Sequence, residues 1–302
     1  MTFVAPPGYQ PVYNPRIPYL GPIHGGLREG MSIYIQGSIP KDISRFHVNL
    51  RCNESASGDI ALHFNPRFDG LDKVVFNSYR NGSWESEEKV RSMPFTAGQL
   101  RLLTFNTIRF QVKVNGKDFH TFKHRLPVQE VRGIQVEGDV SVQSITVIGV
   151  SLPTTHFCPG GFPGSSLPVG AVPFSTMIHG GMHPKKTFII RGRVPSGADR
   201  MAVNFVASGS GNTALHLNPR VKAGEVVRNS RIGGDWGKEE RQLSTNPFRE
   251  GQFFDMSIRC GNQKFKVFVN GEHLFDFAHR MSFYEINMLE IRGDVQIFYV
   301  HF

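Results

Sequence analysis

The chain is poor in cysteine and tryptophan, and it has no long apolar run. Only three of its 302 residues are cysteines, Cys52, Cys158 and Cys260, and none has an equivalent in the internal repeat described below. An odd, unmatched set argues against a disulfide framework and favours a reducing compartment. No segment approaches the roughly 18 apolar residues of a membrane-spanning helix. The first ten residues lack the basic region and apolar stretch of a secretory signal, so we expect neither a signal nor membrane insertion.

The charge of the chain does not point to a nucleic acid. The formal net charge is +9, and a strongly basic protein can bind a polyanion. The basic residues are spread over the whole chain without a run of five, and neither zinc-ligand spacing nor an RNA-binding aromatic motif accompanies them. We therefore interpret the charge as a solvated surface and predict no nucleic-acid partner.

What the chain does have is one motif that occurs twice. The sequence His-x-Asn-Pro-Arg occupies residues 63–67 and again residues 216–220. Each copy is followed by Val-Val-x-Asn, and then by a tryptophan with a glutamate three residues later. Trp84 and Trp236 are the only two tryptophans, and each belongs to one copy. The duplicated set of His, Asn, Arg, Asn, Trp and Glu predicts two polar sites, each with one large aromatic side chain.

The repeat extends over most of the chain and indicates a duplicated domain. Matching segments lie about 155 residues apart, which is too long a period for a solenoid repeat of roughly 20–50 residues. Two domains of this length fit the usual size of globular units. We predict a Pro/Tyr-rich tail, a first domain, a Gly/Pro linker and a second domain at residues 1–16, 17–149, 150–171 and 172–302.

Within each copy the local pattern predicts β-strands. Apolar residues alternate with polar ones before Asn115-Gly116 and before Asn270-Gly271, and a second β-rich segment follows each pair. Such alternation around Asn-Gly is a strong β-hairpin signal. Neither copy shows a long helical period. The short strands and frequent turns predict an all-β chain with two antiparallel β-sandwich domains joined by the Gly/Pro linker.

The geometry of a strand would bring the polar side chains of the motif together. His63, Asn65 and Arg67 are spaced by two residues, so they should project from one face, while Phe64 and Pro66 point toward the core. Proline cannot donate a hydrogen bond within a sheet, which makes it a local interruption or an edge. With Asn, Trp and Glu from neighbouring strands, these groups would form a shallow polar patch.

Such a patch suits a sugar. A pyranose ring carries hydroxyls that both donate and accept hydrogen bonds, and Arg, Glu, Asn and His offer complementary groups. The axial O4 of galactose leaves one face of the ring with contiguous C–H groups, which an indole can cover. A site that hydrogen-bonds a particular hydroxyl rejects the epimer that lacks it, because polar groups of the site would be left unpaired.

The set of motifs resembles the carbohydrate-recognition signature of the galectins, over a stretch from about Pro18 to Phe302. The resemblance implies two jelly-roll sandwiches, non-catalytic binding of β-galactosides, cross-linking of glycoproteins or glycolipids, and no metal or cofactor. It also implies cytoplasmic synthesis with export by a signal-independent route. The carbohydrate-binding residues that it implies are His63, Asn65, Arg67, Asn77, Trp84, Glu87 and Lys89 in the first domain, and His216, Asn218, Arg220, Asn229, Trp236, Glu239 and Arg241 in the second.

The resemblance also implies a role for each position. The His, Asn and Arg of the motif would hydrogen-bond galactose O4, the second Asn and the Glu would bind O6, and the Trp would stack on the apolar sugar face. The second sugar, glucose or N-acetylglucosamine, would contact the motif Arg, the Glu, and Lys89 or Arg241. Lys89 stands where the family has arginine, and Glu85 stands where the second copy has Gly237. Because lysine cannot make the bidentate contact of arginine, we expect the first site to discriminate differently around the second sugar.

Two other functions compete with the lectin as explanations of the repeated motif. A glycosidase normally needs two carboxyl groups about 5–10 Å apart, whereas each copy repeats only one, Glu87 or Glu239, so we predict no enzyme activity. A β-sandwich that acts through protein contacts, with one or both sugar sites idle or specialised, is the remaining alternative. The pairs His124-Arg125 and His279-Arg280 also repeat, and we interpret them as structural because they lie outside the signature.

Overall fold

The computed structural model describes residues 5, 8–70, 72–96, 98, 100–149, 172–243 and 245–302. Among these, the chain forms two compact units that correspond to the two copies of the repeat. Both units consist of antiparallel sheets, and the only helical segments in the described ranges are two single-turn 3₁₀ helices. The predicted all-β class with two sandwich domains is therefore confirmed. The predicted linker, residues 150–171, and Cys158 within it lie outside the described residues.

The first unit is a sandwich of two antiparallel sheets. Its strands are β1 (Tyr9–Tyr13), β2 (Tyr19–Pro22), β3 (Ser32–Ser38), β4 (Phe46–Arg51), β5 (Ile60–Arg67), β6 (Lys73–Arg80), β7 (Ser83–Trp84), β8 (Glu88–Val90), β9 (Leu100–Asn106), β10 (Gln111–Val114), β11 (Lys117–Thr121), β12 (Gly133–Gly138) and β13 (Ser141–Ile148), with a 3₁₀ helix at Val128–Glu130. One sheet has the order β1-β13-β3-β9-β10-β11. The other has the order β2-β12-β4-β5-β6-β7, with β8 paired to β6.

The second unit repeats this plan. Its strands are β14 (Phe174–Met177), β15 (Thr187–Arg193), β16 (Met201–Ala207), β17 (Asn212–Arg220), β18 (Glu225–Ile232), β19 (Asp235–Trp236), β20 (Phe253–Cys260), β21 (Lys264–Val269), β22 (Glu272–Ala278), β23 (Met288–Gly293) and β24 (Gln296–His301), with a 3₁₀ helix at Phe283–Glu285. The sheets have the orders β14-β23-β16-β17-β18-β19 and β22-β21-β20-β15-β24. In each unit the motif strand, β5 or β17, lies in the interior of its sheet.

Each unit has its own aromatic core, and the motif strand is anchored in it. Phe64, which follows the motif histidine, is fully buried. Its ring packs edge-on against Phe76 and Phe105, with ring centroids 5.3 and 5.5 Å apart. Such aromatic pairs contribute about 0.5–1.5 kcal/mol beyond the burial of their area. Because strand side chains alternate, fixing Phe64 in the core also fixes the opposite face of β5, as the sequence predicted.

Both predicted Asn-Gly hairpins are confirmed. Asn115 and Gly116 connect β10 to β11 with φ angles of 51° and 81°. Asn270 and Gly271 connect β21 to β22 with φ angles of 53° and 84°. Positive φ at both central residues matches the right-handed twist of the flanking strands, which is why Asn-Gly is favoured there.

Part of the predicted N-terminal tail belongs to the first sandwich. The sequence predicts a Pro/Tyr-rich tail at residues 1–16, outside the first domain. The segment Tyr9–Tyr13 is extended, but it pairs with β13 as an edge strand, and Tyr9 is buried. Pro11 is compatible with this position because an edge strand does not need every backbone N–H for pairing. Burial of the tyrosine supplies the apolar contact that holds this segment to the sheet.

Candidate functional sites

The structure brings the predicted site residues of each domain to one face of the larger sheet. In each domain six of the seven line a groove, and the seventh, Lys89 or Arg241, lies beside it in contact with the groove glutamate. The motif histidine pairs across the strands with the second asparagine, as His63 with Asn77. The groove volumes are about 480 Å³ in the first domain and about 430 Å³ in the second. These values lie within the range of roughly 300–1,000 Å³ for small-molecule sites.

The asparagine before Pro66 supplies the hydrogen-bond donor that the proline lacks. The pairing of Val48 with Phe64 and of Arg45 with Arg67 places Phe46 opposite the proline. Proline has no N–H to donate to the Phe46 carbonyl. The side-chain Nδ2 of Asn65 donates to this carbonyl instead, at 2.6 Å. The proline is therefore a local interruption of one ladder within an interior strand, which was one of the two predicted possibilities.

In the second domain an asparagine side chain also replaces a missing backbone donor. There Asn218 Nδ2 donates to the Met201 carbonyl at 2.6 Å. With Nδ2 engaged, the Oδ1 of each asparagine accepts from the Nε of the motif arginine, at 2.7 Å from Arg67 and 3.1 Å from Arg220. One N–H of each asparagine amide is then left for a ligand, because a primary amide has two.

Asparagines on the neighbouring strands determine the proton position on the motif histidines. His63 Nδ1 lies 2.6 Å from Asn49 Oδ1, and His216 Nδ1 lies 2.7 Å from Asn204 Oδ1. Asn49 Nδ2 donates to Gln135 Oε1, so its Oδ1 is the acceptor and the histidine Nδ1 carries the proton. The neutral imidazole then has its other nitrogen, Nε2, as an acceptor. Asn49 and Asn204 were not among the predicted site residues, although their recurrence at equivalent positions of the repeat was a signal for them.

Each tryptophan lies exposed beside the motif histidine. Trp84 is 52% exposed and Trp236 is 54% exposed, which excludes the core position common for tryptophan in a β-sandwich. Their ring centroids lie 4.8 Å from His63 and 4.9 Å from His216. An exposed indole at the wall of a polar groove can cover an apolar ligand face.

A glutamate beside basic side chains completes each groove. Glu87 Oε1 lies 3.3 Å from Arg67 Nη2, and Glu239 Oε1 lies 3.3 Å from Arg220 Nη2. The hydrogen bond from Lys89, together with Arg67, lowers the pKa of Glu87 below its usual value. Both glutamates therefore offer ionised oxygens, which only accept hydrogen bonds.

The outer ends of the two grooves differ. Among the residues that the structure describes, Lys89 Nζ forms one ion pair, with Glu87 at 3.0 Å, whereas Arg241 contacts Glu239 and also Glu225, the latter at 3.1 Å. The first domain has Lys73 where the second has Glu225, so it lacks the second carboxylate. The predicted difference at position 89 is therefore accompanied by a change of its surroundings.

The inner ends of the grooves differ as well. The first groove is lined by His47, which lies 3.4 Å from Glu137. The second groove has Ala202 and Arg292 there instead. His47, Ala202 and Arg292 were not among the predicted site residues, because none of the three belongs to the repeated motif. The two grooves thus share their centre and differ at both ends.

The repeated arginines outside the signature contact the sites. Arg125 Nη1 donates to Asn77 Oδ1 at 3.1 Å, and Arg280 Nη1 donates to Asn229 Oδ1 at 2.9 Å. The sequence predicted a structural role for these arginines and did not predict their contact with a site residue. Their sequence repetition was the available signal.

Two structural features are absent from the described ranges. No group of three or more His, Cys, Asp or Glu residues is arranged there to hold a metal ion. None of the helices described is long and apolar enough to cross a membrane.

Comparison with known proteins connects this geometry to a family. The family model described as galactoside-binding lectin matches residues 18–147 and 173–302. The chain is 47% identical to galectin-4 of Bos taurus and 48% identical to galectin-4 of Sus scrofa, with 99% of each chain covered. It is 48% identical to galectin-6 of Mus musculus over the full length of both chains. The predicted resemblance to a tandem-repeat galectin is confirmed. Within the family, galectin-4 is the member that the sequence features most resemble, in residues 9–15, 251–255 and 275–277. On those features alone, galectin-9 is the second candidate.

We expect the His63 imidazole to stay neutral, with its proton on Nδ1, until the pH approaches 4. Burial, then the nearby His47 and Arg67, lower its pKa to about 4, whereas a histidine in the unfolded chain has a pKa of about 6.5. The unfolded chain therefore binds a proton that the folded chain excludes, and this group makes stability fall as the pH decreases from about 6.5 to about 4. Nitrogen-15 NMR of the histidine rings would measure both the tautomer and the midpoint. A midpoint near 6.5 would contradict this expectation, and Asn49→Ala should weaken the preference for the Nδ1 proton.

Proposed function

We propose a role for each groove residue on the premise that the chain belongs to the galactoside-binding lectin family, the galectins. With two copies of the family domain, it is a bivalent, non-catalytic lectin that binds β-galactosides of glycoproteins and glycolipids. The roles rest on the hydrogen-bonding capacity that remains free in each groove.

The centre of each groove is complementary to one hydroxyl group. In the first domain, His63 Nε2 accepts, while a free N–H of Asn65 and the guanidinium of Arg67 donate. These three side chains project from the same face of β5. A hydroxyl that donates to the histidine and accepts from the other two satisfies all of them, and we assign this position to galactose O4. His216, Asn218 and Arg220 take the same roles in the second domain.

The remaining groups surround this hydroxyl. A free N–H of Asn77 donates to galactose O6, and a carboxylate oxygen of Glu87 accepts from the same hydroxyl. The exposed indole of Trp84 covers the apolar face of the sugar. Arg67, Glu87 and Lys89 reach the second sugar. In the second domain these roles belong to Asn229, Trp236, Glu239, Arg220 and Arg241. The observation that carries the proposal is the donor and acceptor pattern that the internal hydrogen bonds leave free.

Two sites on one chain allow cross-linking of glycans. Once one site is occupied, the second binds with an effective concentration set by the connection between domains, provided that both sites can engage together. The domain boundaries that we propose, 17–149 and 172–302, are supported by the family-model match to residues 18–147 and 173–302. The alternative in which a groove is idle or specialised for an extended glycan is supported by the differences at both groove ends.

Alanine at either tryptophan is expected to remove one of two lactose sites. Trp84→Ala and Trp236→Ala each take away the aromatic face, and loss of a tryptophan at the centre of a binding site costs about 2 kcal/mol or more, roughly 30-fold in affinity. Calorimetric titration with lactose should give two sites in the unsubstituted protein and one in each variant. Tyr284→Ala, at a residue that is 72% exposed and outside both grooves, is the matched control. If the unsubstituted protein released no heat with lactose, the prediction of two lactose-binding sites would be wrong. A glycan array would then show whether the sites bind extended glycans instead.

Lys89→Arg is expected to shift the preference of the first site for the second sugar by a few-fold. The planar guanidinium can bind in a bidentate manner, which the ammonium cannot. The measurement compares lactose with N-acetyllactosamine in the Trp236→Ala background, where only the first site binds. Adding Lys73→Glu would give the first domain a counterpart of Glu225, the second carboxylate that Arg241 contacts in the second domain. An unchanged ratio of the two affinities in both variants would show that residue 89 does not determine this preference.

We also propose that the protein is made in the cytoplasm and reaches the cell surface by a signal-independent route. Family membership supports this proposal, and the free Cys52 and Cys260 fit a reducing compartment. In cultured cells we expect the protein in the cytosolic fraction and, at a lower level, in the medium. Release should continue when transport from the endoplasmic reticulum to the Golgi is blocked. Release that stops under this block, beside a conventionally secreted control protein, would contradict the proposal.

A further inference from the structure

We propose that Arg125 and Arg280 are positioning residues that determine which hydrogen-bonding group Asn77 and Asn229 offer to the ligand. The arginines hold the amide oxygen inside the protein, so the asparagine presents only an N–H to the groove. Each site therefore requires an acceptor atom at that position of the sugar. This inference rests on the proposed function, in which the two asparagines bind galactose O6.

The oxygen of each asparagine amide is fully occupied by the protein. Asn77 Oδ1 accepts from the Ser78 backbone N at 2.8 Å and from Arg125 Nη1 at 3.1 Å. An amide oxygen has two lone pairs, and both are used. Nδ2 donates one hydrogen to the Glu85 carbonyl at 2.8 Å. The second hydrogen on Nδ2 is the capacity that remains, and Asn77 lines the groove.

The second domain repeats this arrangement. Asn229 Oδ1 accepts from the Ser230 backbone N at 2.8 Å and from Arg280 Nη1 at 2.9 Å. Its Nδ2 donates to the Gly237 carbonyl at 2.8 Å. Without the arginine, the amide oxygen would keep one bond and have a lone pair free. The arginine thus determines whether the amide offers the ligand only an N–H donor or both an N–H donor and an oxygen acceptor.

Each arginine is itself held from several sides. Arg125 lies over the Phe122 ring at 4.7 Å, and it donates to the Ser86 carbonyl at 2.8 Å and to Glu88 at 3.0 Å. The cation–π contact and the charged hydrogen bond restrict the plane of the guanidinium. Lysine has neither the planar fork nor the same stacking geometry, so it cannot make these contacts together.

Arg280 is held in the same way by different neighbours. It lies over Phe277 at 4.7 Å and donates to the Lys238 carbonyl and to Glu240, both at 2.8 Å. The residue after the tryptophan differs between the domains, and a Cβ at Gly237 would come within 2.9 Å of Arg280 Nη1. In the first domain Glu85 occupies this position, and its Oε2 lies 3.6 Å from Arg125 Nη1. The contact to the asparagine persists in both surroundings.

The test compares two ligands in a chain with one working site. In the Trp84→Ala background, binding of lactose and of 6′-deoxylactose, which has hydrogen in place of the galactose O6 hydroxyl, is measured by calorimetry. The unsubstituted second site should prefer lactose. Arg280→Lys should reduce this preference several-fold, because the Asn229 amide loses one of the three hydrogen bonds that hold its remaining N–H toward the groove; the upper bound is the roughly tenfold effect of one whole hydrogen bond of about 1.4 kcal/mol. Asn229→Ala should reduce it similarly, and the double variant should show no further loss of preference.

Several controls separate positioning from folding. Arg249→Lys changes an exposed arginine outside the groove and should leave the preference unchanged. If Arg280→Lys does not fold, as followed by thermal unfolding, Glu240→Gln keeps the shape of the arginine's partner and should reduce the preference in the same direction by a smaller factor. The equivalent variants Arg125→Lys and Asn77→Ala in the Trp236→Ala background test the first domain.

The outcomes distinguish this inference from the proposed function. Equal weakening of both ligands in Arg280→Lys, with the preference retained, would mean a structural role and would overturn the inference. A preference that Asn229→Ala reduces but Arg280→Lys leaves unchanged would overturn the inference alone. A preference that Asn229→Ala leaves unchanged would overturn the assignment of Asn229 to O6, and with it the inference. If the Trp84→Ala chain bound no lactose, the proposed function of the second site would fail first.

Discussion

The missing backbone N–H of one proline in each domain organises the binding face. An interior strand normally uses every N–H in its ladders, and Pro66 and Pro219 leave one carbonyl of the neighbouring strand without that donor. The side chain of the preceding asparagine bonds this carbonyl. Its amide is thereby held in one orientation, and its oxygen then orients the motif arginine. The spacing of Asn, Pro and Arg is thus required by the sheet itself, before any ligand is considered.

The rest of each groove follows the same rule, in which a hydrogen bond inside the protein fixes the group that faces the ligand. Asn49 and Asn204 fix the tautomer of the motif histidines, and Arg125 and Arg280 fix the amides of the second asparagines. Side chains fixed in this way lose little conformational entropy when a ligand binds. They also leave few alternative pairings, so a ligand with its hydroxyls in the wrong places leaves polar groups unpaired.

The duplication preserved this centre and changed its ends. The residues that hold one another by mutual hydrogen bonds recur in both domains with closely similar distances. At the outer end, Lys89 and Arg241 are more exposed than Arg67 and Arg220, so a replacement there disturbs less of the network. Lys89 and Arg241, or His47 and Ala202, illustrate this freedom. A bivalent lectin with shared centres and different ends can bind the same terminal sugar within two different glycans.

The sequence by itself determined the all-β class, the duplication, the Asn-Gly hairpins and the residues that line the centre of both grooves. These follow from local rules, since strand alternation places His63, Asn65 and Arg67 on one face and the repeat identifies what is shared. Only the tertiary structure decided that β1 joins the first sandwich, that Pro66 lies in an interior strand, and that Asn49 and Arg125 form hydrogen bonds with residues of the first groove. Asn49 and Arg125 are far from their partners in sequence, and pairing of distant strands brings them together. Periodicity and spacing record which way a side chain points, whereas its hydrogen-bond partner depends on the neighbouring strand and on the register of the pairing.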